Sequence, residues 1–267
     1  MDSNPEIVQP ADWRTLNTVP VFLMHDGGGT TFAYHCLETL HRPVYGIHNP
    51  NFRSGEPYDG GLSDMARQYC GFIQKAIDQP EFPKRYSADG KIRIILGGWS
   101  MGGHLSLEMA KQLGDGDSNI DVIGILMVDT VYPIRHPSGD RLIPSKVSEE
   151  EKTKNQILAD RAMADARRMI QAWTPPVWGQ DSRAPRPRVV LLRAKQAVPM
   201  NGNETNFVDM SRGERHLGWD TYDKDLFAEV VDIEGHHFEV FAFEYIGGIS
   251  ETIKDALDGL ERAALEG

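Results

Sequence analysis

The stretch I-I-L-G-G-W-S-M-G-G-H-L-S-L-E-M-A, residues 94–110, limits the fold more than any other part of the chain. An apolar run reads as a buried strand and the amphipathic segment behind it as a helix. Gly98-Trp99-Ser100-Met101-Gly102 joins the two. A G-x-S-x-G seam between strand and helix is a tight, strained turn that lifts one serine hydroxyl to the carboxyl edge of a sheet. A bulky residue at 98 or 102 would collide with neighbouring backbone. The helix then aims its first amides and the positive end of its dipole at that serine. The N–H of Met101 is therefore placed to receive an oxyanion.

The remaining pattern predicts an α/β fold: a mainly parallel sheet flanked by helices on both faces. Strands are expected at 20–24, 43–47, 92–99, 122–128, 188–193 and 227–233. Helices are expected at 31–40, 62–78, 101–113 and 148–173, and over most of 239–265 with Gly247-Gly248 as a break. Ser54 and Ser63 both stand where a cap for the second helix is needed. Residues 135–187 contain no strand candidate and interrupt the alternation. They read as a helical lid inserted into the core, which divides the chain into core residues 1–134, lid residues 135–187 and core residues 188–267.

A serine hydroxyl is a weak nucleophile without a base, and the base needs an orienting acid. With a serine at this turn the order along the chain is serine, acid, histidine. Asp129 ends the apolar run V-I-G-I-L-M-V and is the first choice for the acid; Asp209 and Asp220, in later polar loops, are the alternatives. E-G-H-H-F-E at 234–239 follows the last strand and offers two bases. His237 is preferred to His236, because Phe238 is placed to anchor the loop in the core. After the first apolar strand comes His25-Asp26-Gly27-Gly28-Gly29-Thr30. Its glycines let backbone approach a bound acyl group, and Gly27 is the expected second oxyanion donor, with Asp26 and Gly28 as alternatives. His25, Trp99 and the lid residues Trp173 and Trp178 are candidates for touching the substrate.

Composition narrows the function. A chain of 267 residues fits one such domain. Its net charge of −11 argues against nucleic-acid binding and against attraction to anionic membranes. No run of 18 apolar residues and no signal-peptide pattern is present, and Cys36 and Cys70 are too few for a disulfide framework. A cytoplasmic protein with free thiols is the expectation. No His/Cys/Asp cluster has metal-ligand spacing, so neither a metal nor a bound cofactor is expected.

The segments V-F-L-M-H-D-G-G-G, P-V-Y-G-I-H-N-P, G-G-W-S-M-G-G, L-M-V-D-T and G-H-H-F together resemble the thioesterase domains that end polyketide synthases and nonribosomal-peptide synthetases, those of fungal megasynthases above all. The resemblance spans residues 19–245 and is loosest in the lid. It implies an α/β-hydrolase fold with a mobile lid, Ser100 as nucleophile, Asp129 as acid and His237 as base. It also implies an acyl chain delivered as a thioester on the phosphopantetheine arm of a carrier protein. Release would follow by hydrolysis, by cyclisation or by Claisen-type condensation. The doubled histidine and the glycine triplet depart from the family pattern. Carrier domains are generally acidic, as this chain is, and two free acidic partners repel. Tethering removes that penalty, so the carrier is expected in the same polypeptide, and the chain is expected as a monomer or weak dimer. The alternatives are a small-molecule carboxylesterase or lipase, and a catalytically silent binding protein of the same fold.

Overall fold

The computed structural model describes residues 3–133, 152–202 and 204–266. Seven strands form one sheet: β1 (Glu6–Gln9), β2 (Val21–Met24), β3 (Val44–Ile47), β4 (Ile92–Trp99), β5 (Ile120–Val128), β6 (Arg188–Gln196) and β7 (Phe227–His236). Their order is β1-β3-β2-β4-β5-β6-β7. All neighbours are parallel except β1, which runs against β3. The central strands are continuous apolar runs because helices cover both faces; all four residues of β2 are buried.

Among the described residues five α-helices do the covering: α1 (Phe32–His35), α2 (Gly61–Ile77), α3 (Met101–Asp115), α4 (Lys154–Ala172) and α5 (Ile246–Glu266). On one face, Met65, Tyr69 and Ile73 of α2 and Leu105 and Met109 of α3 pack with Phe22, Ile94 and Met127. On the other, Ile253, Leu257 and Leu260 of α5 pack with Leu23, Leu126 and Val190. Arg42, buried at the foot of α5, donates to Glu261 at 3.0 Å and to Asp258 at 2.5 Å. That ion pair ties the last helix to the start of β2, since Glu261 also accepts from the Val19 amide.

The differences from the expected elements have local causes. β1 is an edge strand of four residues, three half-buried and Ile7 exposed, too short and too polar to show a period. α1 stops after four residues, and tight turns follow, with Cys36 N–H on Ala33 O and Leu37 N–H on Tyr34 O. Gly60 stands at the cap of α2 without a side-chain bond, while the Ser54 hydroxyl donates to Asn51 O. Gly247 and Gly248 do not break α5; they fall in its first turn, whose amides lack intrahelical partners in any case. α4 lies within the expected 148–173 and opens on a capping box between Thr153 and Gln156. The loop predicted from 135 and the helix start predicted at 148 lie outside the described residues, as does most of the first part of the lid. Among the described residues no helix is long and apolar enough to cross a membrane.

Candidate active site

The sheet delivers three chain ends to one edge. β4 stops at Trp99, and Ser100 follows with φ 54° and ψ −115°, a conformation that costs a non-glycine residue energy and persists only where its surroundings enforce it. The surroundings are close backbone. A Cβ on Gly98 would lie 2.6 Å from Met24 O, and one on Gly102 would run into the same carbonyl. A third glycine matters as well, because a Cβ on Gly103 would overlap Thr130 Oγ1. That hydroxyl donates to Ser100 O at 3.0 Å and pins the turn.

Asp129 follows β5 with φ 45°, and its N–H donates to Leu192 O at 2.7 Å. Its carboxylate is fully buried. Oδ1 accepts from the Ala194 amide at 2.8 Å and from Arg212 Nη1 at 2.6 Å. Oδ2 accepts from Arg212 Nη2 at 2.7 Å and from His237 Nδ1 at 2.8 Å. Burial would raise the pKa of this carboxyl, but the hydrogen bonds from His237 and Arg212 outweigh it and hold the value at about 2.

His237 follows β7 across Gly235, which has φ 85° and faces the Tyr245 ring at 2.9 Å from where a Cβ would stand. A carboxylate accepts only, so Nδ1 carries the proton and Nε2 presents its lone pair. Nε2 lies 3.0 Å from Ser100 Oγ. The structure thus brings Ser100, His237 and Asp129 into one hydrogen-bonded line. His236 is turned away: its Nε2 pairs with Glu239 at 3.0 Å.

The chain matches the model of an alpha/beta hydrolase family over residues 21–244. It belongs to the alpha/beta hydrolase family. Its relatives include "Thioesterase frbE" of Dothideomycetidae sp. (strain 11243), 32% identical over 97% of this chain and 97% of that protein. They also include "Nonribosomal peptide synthetase imqB" of Aspergillus flavus, 30% identical over 98% of this chain and 8% of that protein. Among solved structures, a NocB thioesterase domain in covalent complex with a fluorophosphonate nocardicin G analogue superposes with a TM-score of 0.62 at 20% identity, covering 94% of this chain and 96% of that one. Within the hydrolases, then, this chain is similar to proteins named thioesterases and to a region of a nonribosomal peptide synthetase.

Around Ser100, His237 and Asp129, several predicted residues take other places. Asp209 accepts from Arg212 Nε at 2.9 Å, and Asp220 pairs with His216 at 2.7 Å; neither bonds to His237. Phe238 does not enter the core: it is 39% exposed, with its ring edge-on to His237. The anchor of the loop is Trp99, whose indole N–H donates to His237 O at 3.0 Å and whose ring packs on Phe241. Trp99 thus supports the histidine loop. Tyr34 ties the neighbouring strand ends together, its hydroxyl donating to Met24 O and accepting from the Trp99 amide.

His25 is buried and faces inward. Its Nδ1 donates to Asp26 O at 2.5 Å, and its Nε2 accepts from the Tyr69 hydroxyl at 2.7 Å. Burial lowers its pKa to about 4, so the ring is a neutral donor. Asp26 O accepts from the Gly29 amide as well. Because a trans peptide is planar, holding this carbonyl turns the Gly27 N–H to the opposite side. Met163 of α4 covers that glycine, its sulfur 2.6 Å from where a Cβ would stand. The Asp26 carboxyl, raised to about 6 chiefly by burial, completes the loop by accepting from the Gly28 amide.

Among the described residues one cavity lies past the C-terminal end of α4 and another along its side. One, of about 470 Å³, is lined by Tyr132, Pro133, Trp173, Pro175 and Glu214 among others. The second, of about 370 Å³, lies between α4 and the loop at 49–57. Trp173 reaches the first and packs its ring on His104, one turn along α3 from Ser100. Trp178 does not join it: it packs on Lys111, eleven residues beyond Ser100 and therefore roughly 16 Å along the helix. Sequence reading missed Arg212, Tyr69 and Met163. Arg212 carries no positional signal, Tyr69 reads as one more apolar position of α2, and Met163 falls in the region of loosest resemblance. Among the described residues no group of three His, Cys, Asp or Glu is arranged to hold a metal.

Proposed function

We propose that this hydrolase is a serine thioesterase that releases an acyl chain of polyketide or peptide type from the phosphopantetheine arm of a carrier protein, without a cofactor of its own. The observation that supports this reading is the line of hydrogen bonds, 3.0 Å from Ser100 Oγ to His237 Nε2 and 2.8 Å from His237 Nδ1 to Asp129. His237 takes the Ser100 proton as the hydroxyl oxygen attacks the thioester carbonyl. The amides of Met101 and Gly27 stabilise the oxyanion. The C–S bond breaks, and His237 returns the proton to the departing pantetheine thiolate, leaving an ester on Ser100. In the second half His237 deprotonates the acceptor, either water or a hydroxyl or amine of the chain itself, and Ser100 recovers its proton. Trp173 and the cavity it lines are assigned to the acyl chain.

The delivery step is part of the proposal: a cytoplasmic enzyme meeting a carrier domain, tethered in the same polypeptide on the charge argument. The relatives are of both kinds, a synthetase in which the matched region is 8% of the length and a thioesterase matched over 97% of its length. Comparing turnover of an acyl carrier supplied separately with that of a fused carrier tests the tether. The chemistry is tested with a panel of N-acetylcysteamine thioesters against p-nitrophenyl esters of the same acids. Preference for the thioesters, with a Ser100-bound acyl intermediate, is expected. Preference for short p-nitrophenyl esters would make the protein a carboxylesterase, and binding without turnover would make it a silent member of the fold.

A further inference from the structure

Arg212 lies beyond β6, in the polar region where an alternative acid was sought, and only 8% of its surface is exposed. All five of its N–H groups meet acceptors. Nη1 serves Asp129 Oδ1 and Ala194 O, Nη2 serves Asp129 Oδ2 and Val208 O, and Nε serves Asp209 Oδ1. Asp209 is itself buried and is held from its other oxygen by the Val198 amide at 2.7 Å. Two of the three carboxylates considered for the acid are thus joined through one guanidinium, and one of them meets the histidine.

We propose that Arg212 is a positioning residue for the Asp129–His237 pair: its fork fixes the carboxylate plane with Oδ2 toward His237, and its charge limits how tightly the pair holds a proton. The proposal rests on the reading of Ser100, His237 and Asp129 as a triad. The planar fork matches a carboxylate at two points and leaves it one orientation. The charge count gives the second half. Asp129 and Asp209 carry two negative charges, and Arg212 reduces them to one. Without Arg212 the Asp129–His237 pair would lie beside an uncompensated Asp209, with Asp26 nearby from the loop after β2, and the pair as a whole would hold a proton more tightly. A base that stays protonated at working pH cannot accept from serine. His104 on α3 is the other titratable group near the ring; it is buried, with its pKa lowered to about 4, and adds no positive charge near neutral pH.

The test is kcat/KM against pH with an N-acetylcysteamine acyl thioester for the wild type, Arg212→Gln, Arg212→Lys and Asp209→Asn. Arg212→Gln should move the acid limb up by about 1 unit, the size expected when a neighbouring charge is removed. Asp209→Asn should move it down by less, because it leaves the guanidinium less compensated. Arg212→Lys keeps the charge and loses the fork, so the limb should stay while the plateau falls roughly tenfold or more. Opposite movements in Arg212→Gln and Asp209→Asn are not expected of a residue that only holds a loop. Acid limbs that coincide in all four proteins, or a limb in Arg212→Lys that moves with that of Arg212→Gln, would overturn the proposal. If Arg212→Gln does not fold, Asp209→Asn and Arg212→Lys carry the comparison. A wild type without a Ser100 adduct would refute the triad instead. The protonation midpoint of the Asp129–His237 pair, followed by NMR in a Ser100→Ala background, still reads the effect of Arg212 without turnover.

Discussion

The carboxyl edge of the sheet and the helix α4 above it solve different problems. At the edge each functional side chain is fixed from behind: Ser100 by close backbone and Thr130, Asp129 by a buried amide and Arg212, His237 by Gly235 and Trp99. α4 meets the site with side chains alone, through Met163 over Gly27 and Ala162 beside Gly29. It is tied down at Asp165, which accepts from the Tyr58 amide, and at Arg168, which donates to Tyr58 O. The edge has one arrangement and little tolerance. The helix offers a surface that alternative side chains can fill. On the proposed reading, chemistry belongs to the edge and choice of acyl chain to the helix.

Substitutions at the edge should break the first half of that contrast. The largest effect below loss of the serine itself is expected for Asp129→Asn. It leaves His237 without a carboxylate partner and turns an amide toward Arg212, so kcat should fall about 10⁴-fold with little change in circular dichroism. Steady-state kinetics on one thioester decides this; a near-silent variant would move the acid role to Asp209. Next come His25→Gln and Tyr69→Phe, which loosen the Asp26–Gly27 peptide without touching Ser100, His237 or Asp129. Each should lower kcat by roughly 10- to 100-fold, short of the full loss of an oxyanion donor, and leave KM nearly constant. A rise in KM at constant kcat would contradict the assignment of this peptide.

Acid stability sharpens the comparison, because His25 and His104 are buried, and Asp26 half-buried, beside the edge. His25 and His104 have pKa values lowered from 6.5 to about 4, chiefly by burial, so the unfolded chain binds more protons between those values. Their contribution is present above pH 6.5 and is lost as the pH falls through about 4. Asp26, raised from 3.8 to about 6, acts in the opposite sense and adds stability as the pH falls through about 6. Two groups oppose one, so the melting temperature should drop between pH 6.5 and pH 4. Asp26→Asn should steepen the drop and His104→Gln should flatten it. A melting temperature constant across that window would contradict the burial argument. The smallest effect belongs to the helix: Met163→Ala should shift relative kcat/KM among acyl chain lengths by less than about tenfold and leave the rate on the best substrate nearly unchanged.

The same contrast explains what could be read from the sequence. The six parallel strands and α2 and α3 were legible because continuous apolar runs and helical periodicity are forced by burial on both faces. Ser100 was legible because its glycines are dictated by the Met24 carbonyl. Asp129 and His237 followed from chain order and strand ends. The partners behind them were not legible. Arg212 contacts Asp129 across 83 positions and Tyr69 contacts His25 across 44, and no local pattern encodes such pairings. Phe238 misled because an aromatic residue beside a histidine reads as an anchor, whereas the anchor is Trp99, 138 positions away. β1 was missed because four residues at a sheet edge, half in solvent, show no period.

The central claim is that Ser100 carries the acyl chain, and mass spectrometry of the tryptic digest after rapid quenching of a thioester reaction tests it most directly. The wild type should gain the mass of the acyl group on the tryptic peptide that contains Ser100, and Ser100→Ala should gain none. An adduct that persists in Ser100→Ala, or wild-type turnover with no adduct under conditions that slow deacylation, would contradict it.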